Sequence, residues 1–404
     1  MTDSLSIAIA RGELPFSKPF TTANQTFLER QVALVRIAAG GVYGYGEASP
    51  LPGFSSETYD QALAVLESAS GVISDIECPG EAEEIPPLIA AIEGLESVPS
   101  ARFALECALL DLVAKRKRTS IAQLLMPRGA ATDVAVNATI GAESVPACFA
   151  AALTAFEQGF TCFKLKVGGR PFDEDLARIK AVRDAIGDAS TLRLDANGSW
   201  QRQEAIENIA RMRPFDIALI EQPVAADDFE GLALVRASAH VRIAADESVR
   251  SASDLERLLE LDAVDCIVLK PMMIGGLLTT LKLQRHALER GVTTILTTSL
   301  ESAVGRVATL HLAAACQDLE GPCGLATGAL LSGDTHPAPP AAHGGKITLP
   351  DGEGLGLVPE LSFEERRLTT TPGVLIPTRY SSAHATSPSR QQSALQMAQR
   401  GAMP

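Results

Sequence analysis

Five short runs decide the fold: TCFKLKV at 161–167, TLRLDA at 191–196, IALIEQ at 217–222, VRIAADE at 241–247 and AVDCIVLK at 263–270. Each is rich in strand-forming apolar residues, and each ends at or next to a charge: Lys166, Asp195, Glu221, Asp246 and Lys270. The charges are 29, 26, 25 and 24 residues apart, about one strand-loop-helix-loop unit each. Strands of a closed parallel barrel are covered by helices outside and filled by side chains inside, so charge is expected only at their ends. Five ordered charges at the C-terminal ends of successive strands therefore predict one rim of a β/α barrel, the rim where such barrels carry their chemistry.

The pattern extends both ways. VAVNATI (134–140) precedes it, VTTILTT (292–298) follows it, and a weaker eighth run lies near CGLATG (323–328). Helical signals fill the gaps. Leu176, Ile179, Val182 and Ile186 mark one helix face ahead of Gly187, and Ser253 with Glu256 reads as a capping box. An open doubly wound sheet would need fewer strands and usually a glycine-rich phosphate turn after the first, which is missing. The reading is an α/β chain: an α+β domain over 1–130, a (β/α)8-type barrel over 131–330, a segment over 331–376 able to pack back on the first domain, and a mobile tail over 377–404. The third piece contains HPAPPAAHGG (336–345) and KITLPDGEGLGL (346–357), and the tail is Ser-, Ala-, Gln- and Arg-rich.

Composition narrows the partners. A chain of 404 residues with 46% apolar and 21% charged content can bury a large core and is not disordered throughout. A net charge of −14 opposes binding to nucleic acid or an anionic membrane. The 7 cysteines are scattered and mostly lie in apolar runs, as expected of reduced thiols in the cytoplasm. The first residues carry no secretory pattern, and no apolar run reaches bilayer-spanning length.

Side chains two apart on a strand share a face, so Lys164 accompanies Lys166, and Arg193, Asp195 and Asn197 point the same way. Asp195, Glu221 and Asp246 form an all-oxygen trio suited to a hard divalent cation, Mg²⁺ first, with Mn²⁺ as a substitute. No histidine or zinc-spaced cysteine pair lies at these strand ends. Taken singly, each carboxylate would be read as a helix cap or the partner of a surface lysine. Lysines facing a metal suggest removal of a proton next to a carboxylate, because the resulting enediolate needs concentrated positive charge. Lys166 is the expected base. Lys164 would depress its pKa or hold a carboxylate oxygen, and Lys270 on the opposite wall would be a second acid/base or a stabilising cation.

From about Gln31 to Gly356, the order and spacing of KLK, LRLDAN, IEQP, ADES and IVLKP resemble the enolase superfamily, in its muconate-lactonizing-enzyme-like subgroup. The resemblance implies Asp195, Glu221 and Asp246 as Mg²⁺ ligands, Lys166 as base and Lys270 as its counterpart. It also implies that the first domain caps the barrel mouth and selects the substrate. Two further segments resemble the o-succinylbenzoate synthase family. GYGEASPLPGFSSET (44–58) would bring Gly53, Phe54 and Ser55 to the substrate, and TTSLESAVG (297–305) would place Ser299 and Glu301 at the rim. Arg193 and Asn197 complete the expected substrate contacts.

The reaction so implied removes water from a small dicarboxylate, 2-succinyl-6-hydroxy-2,4-cyclohexadiene-1-carboxylate, to give o-succinylbenzoate for menaquinone or phylloquinone synthesis. N-succinylamino acid racemases and dipeptide epimerases of the same subgroup are the alternative, because a 1,1-proton transfer would use the same two lysines. A barrel that only binds is a different class; it would be signalled by a lost ligand or lysine, and none is lost.

Overall fold

The computed structural model describes residues 4–21, 26–74, 76–141, 144–360 and 365–366. The chain opens with three antiparallel strands, β1 (Ser6–Thr21), β2 (Thr26–Ala39) and β3 (Val42–Ala48), followed by α1 (Tyr59–Ile73), α2 (Ile85–Ala90), α3 (Pro99–Arg116) and α4 (Ile121–Leu125). β2 carries VALVRIAA, and its Val32, Ala33, Leu34, Val35 and Ile37 are all buried. α3 is buried on nearly every side, as expected of a helix held between two layers. It lies very close to β3: a Cβ on Gly46 would stand 1.9 Å from the Ala104 carbonyl oxygen, and one on Gly44 would stand 2.0 Å from that of Ala108. Glycine at these two positions permits the approach.

Next come β4 (Asp133–Ala135), β5 (Ala138–Ile140), α5 (Val145–Glu157), β6 (Cys162–Lys166), α6 (Phe172–Ile186), β7 (Thr191–Asp195), α7 (Arg202–Arg211), β8 (Ile217–Glu221) and α8 (Phe229–Ser238). They are followed by β9 (Arg242–Ala245), α9 (Ala252–Glu260), β10 (Cys266–Leu269), α10 (Pro271–Ile274), α11 (Leu277–Glu289), β11 (Thr293–Leu296) and α12 (Ala303–Ala315). β5 to β11 form a parallel seven-stranded sheet in sequence order. The fold is a β/α barrel with a separate antiparallel domain at its N-terminal side.

Three details differ from the sequence expectation. VAVNATI is not one strand. Its first half lies in β4, which pairs with β12 (Lys346–Thr348), and its second half in β5, which joins the barrel. The eighth run forms no strand among the described residues. Instead, Cys323 bridges Val136 at one edge and Gly324 bridges Thr297 at the other, so a Pro- and Gly-containing segment closes the sheet with isolated bridges. Finally, α9 is capped by Ser251, whose Oγ accepts from the Asp254 N–H, and not by Ser253. The helix ending at Gly187 is as expected, with φ +70 at that glycine.

After the barrel the chain returns to the first domain. Ser332 donates its N–H to the Pro15 carbonyl, Leu355 donates its N–H to Asp111 on α3, and β13 (Glu365–Arg366) pairs with β1. The expected tail, 377–404, lies outside the described residues. No helix among the described residues is long and apolar enough to cross a membrane. None of the 7 cysteines is in a disulfide, and burial pushes the Cys266 and Cys316 thiols up to about 12 and that of Cys323 to about 11, which disfavours the thiolate.

Candidate metal centre and active site

β7, β8 and β9 are neighbours in the sheet, so the residues at their C-terminal ends meet. Asp195 stands opposite Glu221 in the β7–β8 register, and Asp246 follows β9 directly. All three carboxylates are buried, and one oxygen from each lies within 4.8 Å of the others. β6 and β10 flank this trio: Lys164 and Lys166 lie on β6, and Lys270 follows β10 directly. Lys164 Nζ lies 2.6 Å from Glu221 Oε1 and 2.8 Å from Asp195 Oδ2. Lys166 Nζ lies 2.6 Å from Asp195 Oδ2 and 2.8 Å from Asn197 Oδ1, while Lys270 Nζ reaches both oxygens of Asp246. Lys166 is the most open of the three, its side chain 31% exposed against 15% for Lys164 and 14% for Lys270.

The charges act on each other. Burial opposes the Lys164 ammonium, but Asp195, Glu221 and Asp246 outweigh it and hold its pKa above the ordinary lysine range. Lys270 is likewise raised: burial works against its charge, and Asp246, Glu247 and Glu221 prevail. Burial disfavours ionised Asp195, yet Lys164 and Lys166 hold its carboxyl well below the usual range. Glu221 moves the opposite way, pushed up by burial and by the charge of Asp195. Three buried carboxylates with no nitrogen or sulfur ligand among them are a donor set for a hard divalent cation, and such an ion would favour the ionised form of Glu221 that burial and Asp195 oppose. The residues fit Mg²⁺.

The other expected site residues divide. Asn197 sits with the lysines: its N–H donates to Asp195 Oδ1 and its amide donates to Glu247 Oε1. Arg193 does not reach the trio. It lies one pleat deeper, with its guanidinium donating to the Pro322 and Glu320 carbonyls, where it supports the closing segment of the barrel. Ser299 and Glu301 lie beyond β11 beside the cap. Glu301 Oε2 accepts from the Ser299 N–H, whereas Glu301 Oε1 and Ser299 Oγ are buried without a partner. Gly53 has φ +78 in a turn, Phe54 is half-buried against the core, and Ser55 Oγ accepts from the Leu51 N–H. Ser49, at the head of this loop, reaches Met272 Sδ at 3.5 Å, so the loop begins beside the exit of the Lys270 strand.

Other residues of the site were not read from the sequence. Arg178 on α6 is buried and donates to the Lys166 and Gly141 carbonyls while pairing with Asp175, which accepts from the Gly168 N–H. Glu247, next to Asp246, has one oxygen on Asn197 and the other buried and unpartnered. Arg30 donates to the carbonyls of Ser49 and Pro50 in the cap and of Ser299 and Leu300 in the barrel. An acidic pair after β9 was visible in ADES; the main-chain partners of Arg30 and Arg178 have no signature in sequence.

A capped barrel whose rim gathers three carboxylates between strand-end lysines defines a class of acid/base enzymes, and the comparisons agree with it. Residues 148–362 match the family "Enolase C-terminal domain-like", and residues 5–126 match "Mandelate racemase / muconate lactonizing enzyme, N-terminal domain". The chain belongs to the enolase superfamily, in its muconate-lactonizing-enzyme-like subgroup. It is 30% identical to the hydrophobic dipeptide epimerase of Enterococcus faecalis over 358 residues, 87% of this chain and 98% of that protein. It is 39% identical to the o-succinylbenzoate synthase of Thermobifida fusca over 215 residues, 53% of this chain and 65% of that enzyme. The solved structure of the dipeptide epimerase from Enterococcus faecalis V583, complexed with Mg and the dipeptide L-Leu-L-Tyr, superposes with a TM-score of 0.81 at 28% identity, covering 88% of this chain and 99% of that one.

Proposed function

We propose that this chain is a Mg²⁺-dependent enzyme that removes the proton next to a substrate carboxylate, and that its reaction is the dehydration that yields o-succinylbenzoate. The observation that carries the first part is the placement of Lys166 at the end of β6 and Lys270 directly after β10, at the two ends of the Asp195–Glu221–Asp246 trio. Mg²⁺ held by these three carboxylates would supply fixed positive charge for the substrate carboxylate as negative charge grows there. Lys166, the most open lysine, takes the α-proton in its neutral form; Asp195 and Asn197 fix the direction of its Nζ. Protonated Lys166 then returns a proton to the departing hydroxyl, and the electron pair left on carbon closes the aromatic ring. Lys270 stays protonated and faces the intermediate as a cation.

The second part rests on the far rim. Burial pushes the Glu301 carboxyl up to about 7, with Glu47 adding to the rise and Arg30 opposing it. The unpartnered Ser299 Oγ can donate, and so can the unpartnered Glu301 Oε1 in its protonated form, which suits a second carboxylate of the substrate better than a peptide ammonium. The segment 323–327, CGLAT, adds no acidic residue. The rim segments 44–58 and 297–305, which resemble the o-succinylbenzoate synthase family, support the same choice.

Epimerisation of a dipeptide is the second reading. It is favoured by the dipeptide epimerases to which the chain is similar along nearly their whole length. Purified protein with and without Mg²⁺ decides between them. Formation of o-succinylbenzoate, followed by absorbance, is expected. Deuterium uptake at the α-carbon of dipeptides or N-succinylamino acids, without dehydration, would overturn the assignment.

A further inference from the structure

Gln222 is the residue of IEQP that the chemistry above leaves without a task. It is fully buried, directly follows the carboxylate of Glu221, and has φ +41, in the left-handed region that a residue with a side chain enters at a cost. Its main chain joins three barrel segments: its N–H donates to the Ala244 carbonyl on β9, and its carbonyl accepts from the Gly198 N–H after β7 at 2.7 Å. The side-chain amide uses all its hydrogen-bonding capacity within the same rim. Oε1 accepts from the Asp246 N–H at 2.9 Å and the Ser248 N–H at 3.3 Å. Nε2 donates to the Val224 carbonyl at 2.9 Å and to Ser248 Oγ at 2.8 Å, and Ser248 Oγ passes on to the Ala226 carbonyl at 2.7 Å.

We propose that Gln222 is a positioning residue that sets the separation of the Glu221 and Asp246 carboxylates and so tunes the affinity of the site for a divalent cation. Its backbone is continuous with Glu221, and its amide grips the main chain of Asp246. One planar group thus spans the two strand ends. The positive φ turns the chain right after Glu221, so the next side chain enters the β8–β9 junction instead of continuing the strand alternation. Residues that orient ligands in this way commonly change metal affinity by about 10–100-fold when replaced.

This inference rests on the metal reading of the Asp195–Glu221–Asp246 trio, and the test separates the two. Isothermal titration calorimetry of the metal-free full chain with MgCl2 gives the dissociation constant, and circular dichroism confirms that each variant is folded at the titration temperature. Wild type is expected to bind Mg²⁺. Gln222→Met, which keeps the length of the side chain but loses the four hydrogen bonds, is expected to bind about 10–100-fold more weakly while folded. Ser248→Ala, which removes one partner of the amide, is expected to weaken binding by a smaller factor. Unchanged affinity in folded Gln222→Met overturns the inference alone. If that variant does not fold, unchanged affinity in Ser248→Ala overturns it. Absence of Mg²⁺ binding by wild type overturns the metal reading and this inference with it.

Discussion

Glu47, on the last strand of the cap, accepts hydrogen bonds from the N–H groups of Ser302 and Gly305 at the start of α12, both at 2.8 Å, across the boundary between cap and barrel. It also accepts from the hydroxyls of Ser302, at 2.5 Å, and Ser49, at 2.8 Å. Glu106 on α3 does the same for α11, accepting from the Leu278 N–H at 2.8 Å. The cap thus supplies a carboxyl acceptor to the N-termini of the two barrel helices that follow the strands leading to Lys270 and Ser299, where N–H groups lack a partner within the helix. Glu47→Ala leaves buried donors without partners and is expected to cost about 3 kcal/mol or more, with Glu47→Gln costing less. Urea unfolding followed by circular dichroism measures this; a midpoint unchanged in Glu47→Ala would show that the bonds contribute nothing net.

The docking of α3 on β3 gives a second expectation. Gly46→Ala would drive a Cβ to 1.9 Å from the Ala104 carbonyl oxygen, a backbone atom held by its own helix. Neither layer can yield without separating, so a loss of at least about 3 kcal/mol is expected. Gly71→Ala, where a Cβ meets nothing within 4 Å, is the control and should leave the melting temperature within a few degrees of wild type.

Two buried groups give the stability profile opposite slopes with pH. His311 on α12 accepts from the Ala122 N–H at Nδ1 and pairs through Nε2 with the Leu355 carbonyl, and burial lowers its pKa from 6.5 to about 4. The unfolded chain then binds the proton more tightly. Stability is whole above pH 6.5 and falls towards pH 4, by up to about 3 kcal/mol. Glu106 moves the other way: burial raises it from 4.5 to about 7, so its contribution is fully present below 4.5 and lost as pH rises through 7. His311→Leu should flatten the acid limb and Glu106→Gln the limb near neutrality. Urea midpoints at half-unit steps from pH 4 to 8 check both, and a wild-type-shaped acid limb in His311→Leu would exclude the histidine as its source.

Much of the site was legible because its charges recur with the barrel unit. Apolar strands that end in turn on Lys166, Asp195, Glu221, Asp246 and Lys270 direct all of that charge to one rim, and the structure gathers all five side chains there. The alternation rule places Arg193 on the face of Asp195 but carries no information on depth, and one pleat below the rim the guanidinium meets the carbonyls of 320 and 322. Gln222, Arg30 and Glu47 were illegible for a different reason. Their partners are mostly main-chain groups of distant segments, which no pattern of side chains announces. The closing segment was weak in sequence because Pro322 and Gly324 lower strand propensity, and it joins the sheet only through isolated bridges.

The two lysines separate the competing reactions. In the dehydration, Lys166 both removes the α-proton and serves the departing hydroxyl, so Lys166→Ala should lower turnover by on the order of 10²–10⁴ and abolish α-proton exchange with D2O, the fold being retained. Lys270→Ala would remove a charge and slow turnover, yet Lys166 would still exchange the α-proton. In a 1,1-proton transfer each lysine serves one face, so each single variant would keep exchange on one stereoisomer and lose it on the other. Proton NMR of substrate recovered from D2O, with both variants and both stereoisomers of an N-succinylamino acid, reads this out. Exchange that survives in Lys166→Ala on one stereoisomer alone would make Lys270 a base in its own right and move the assignment to epimerisation. Loss of all exchange in Lys166→Ala, with exchange kept in Lys270→Ala, leaves Lys166 as the sole base and Lys270 as a cation.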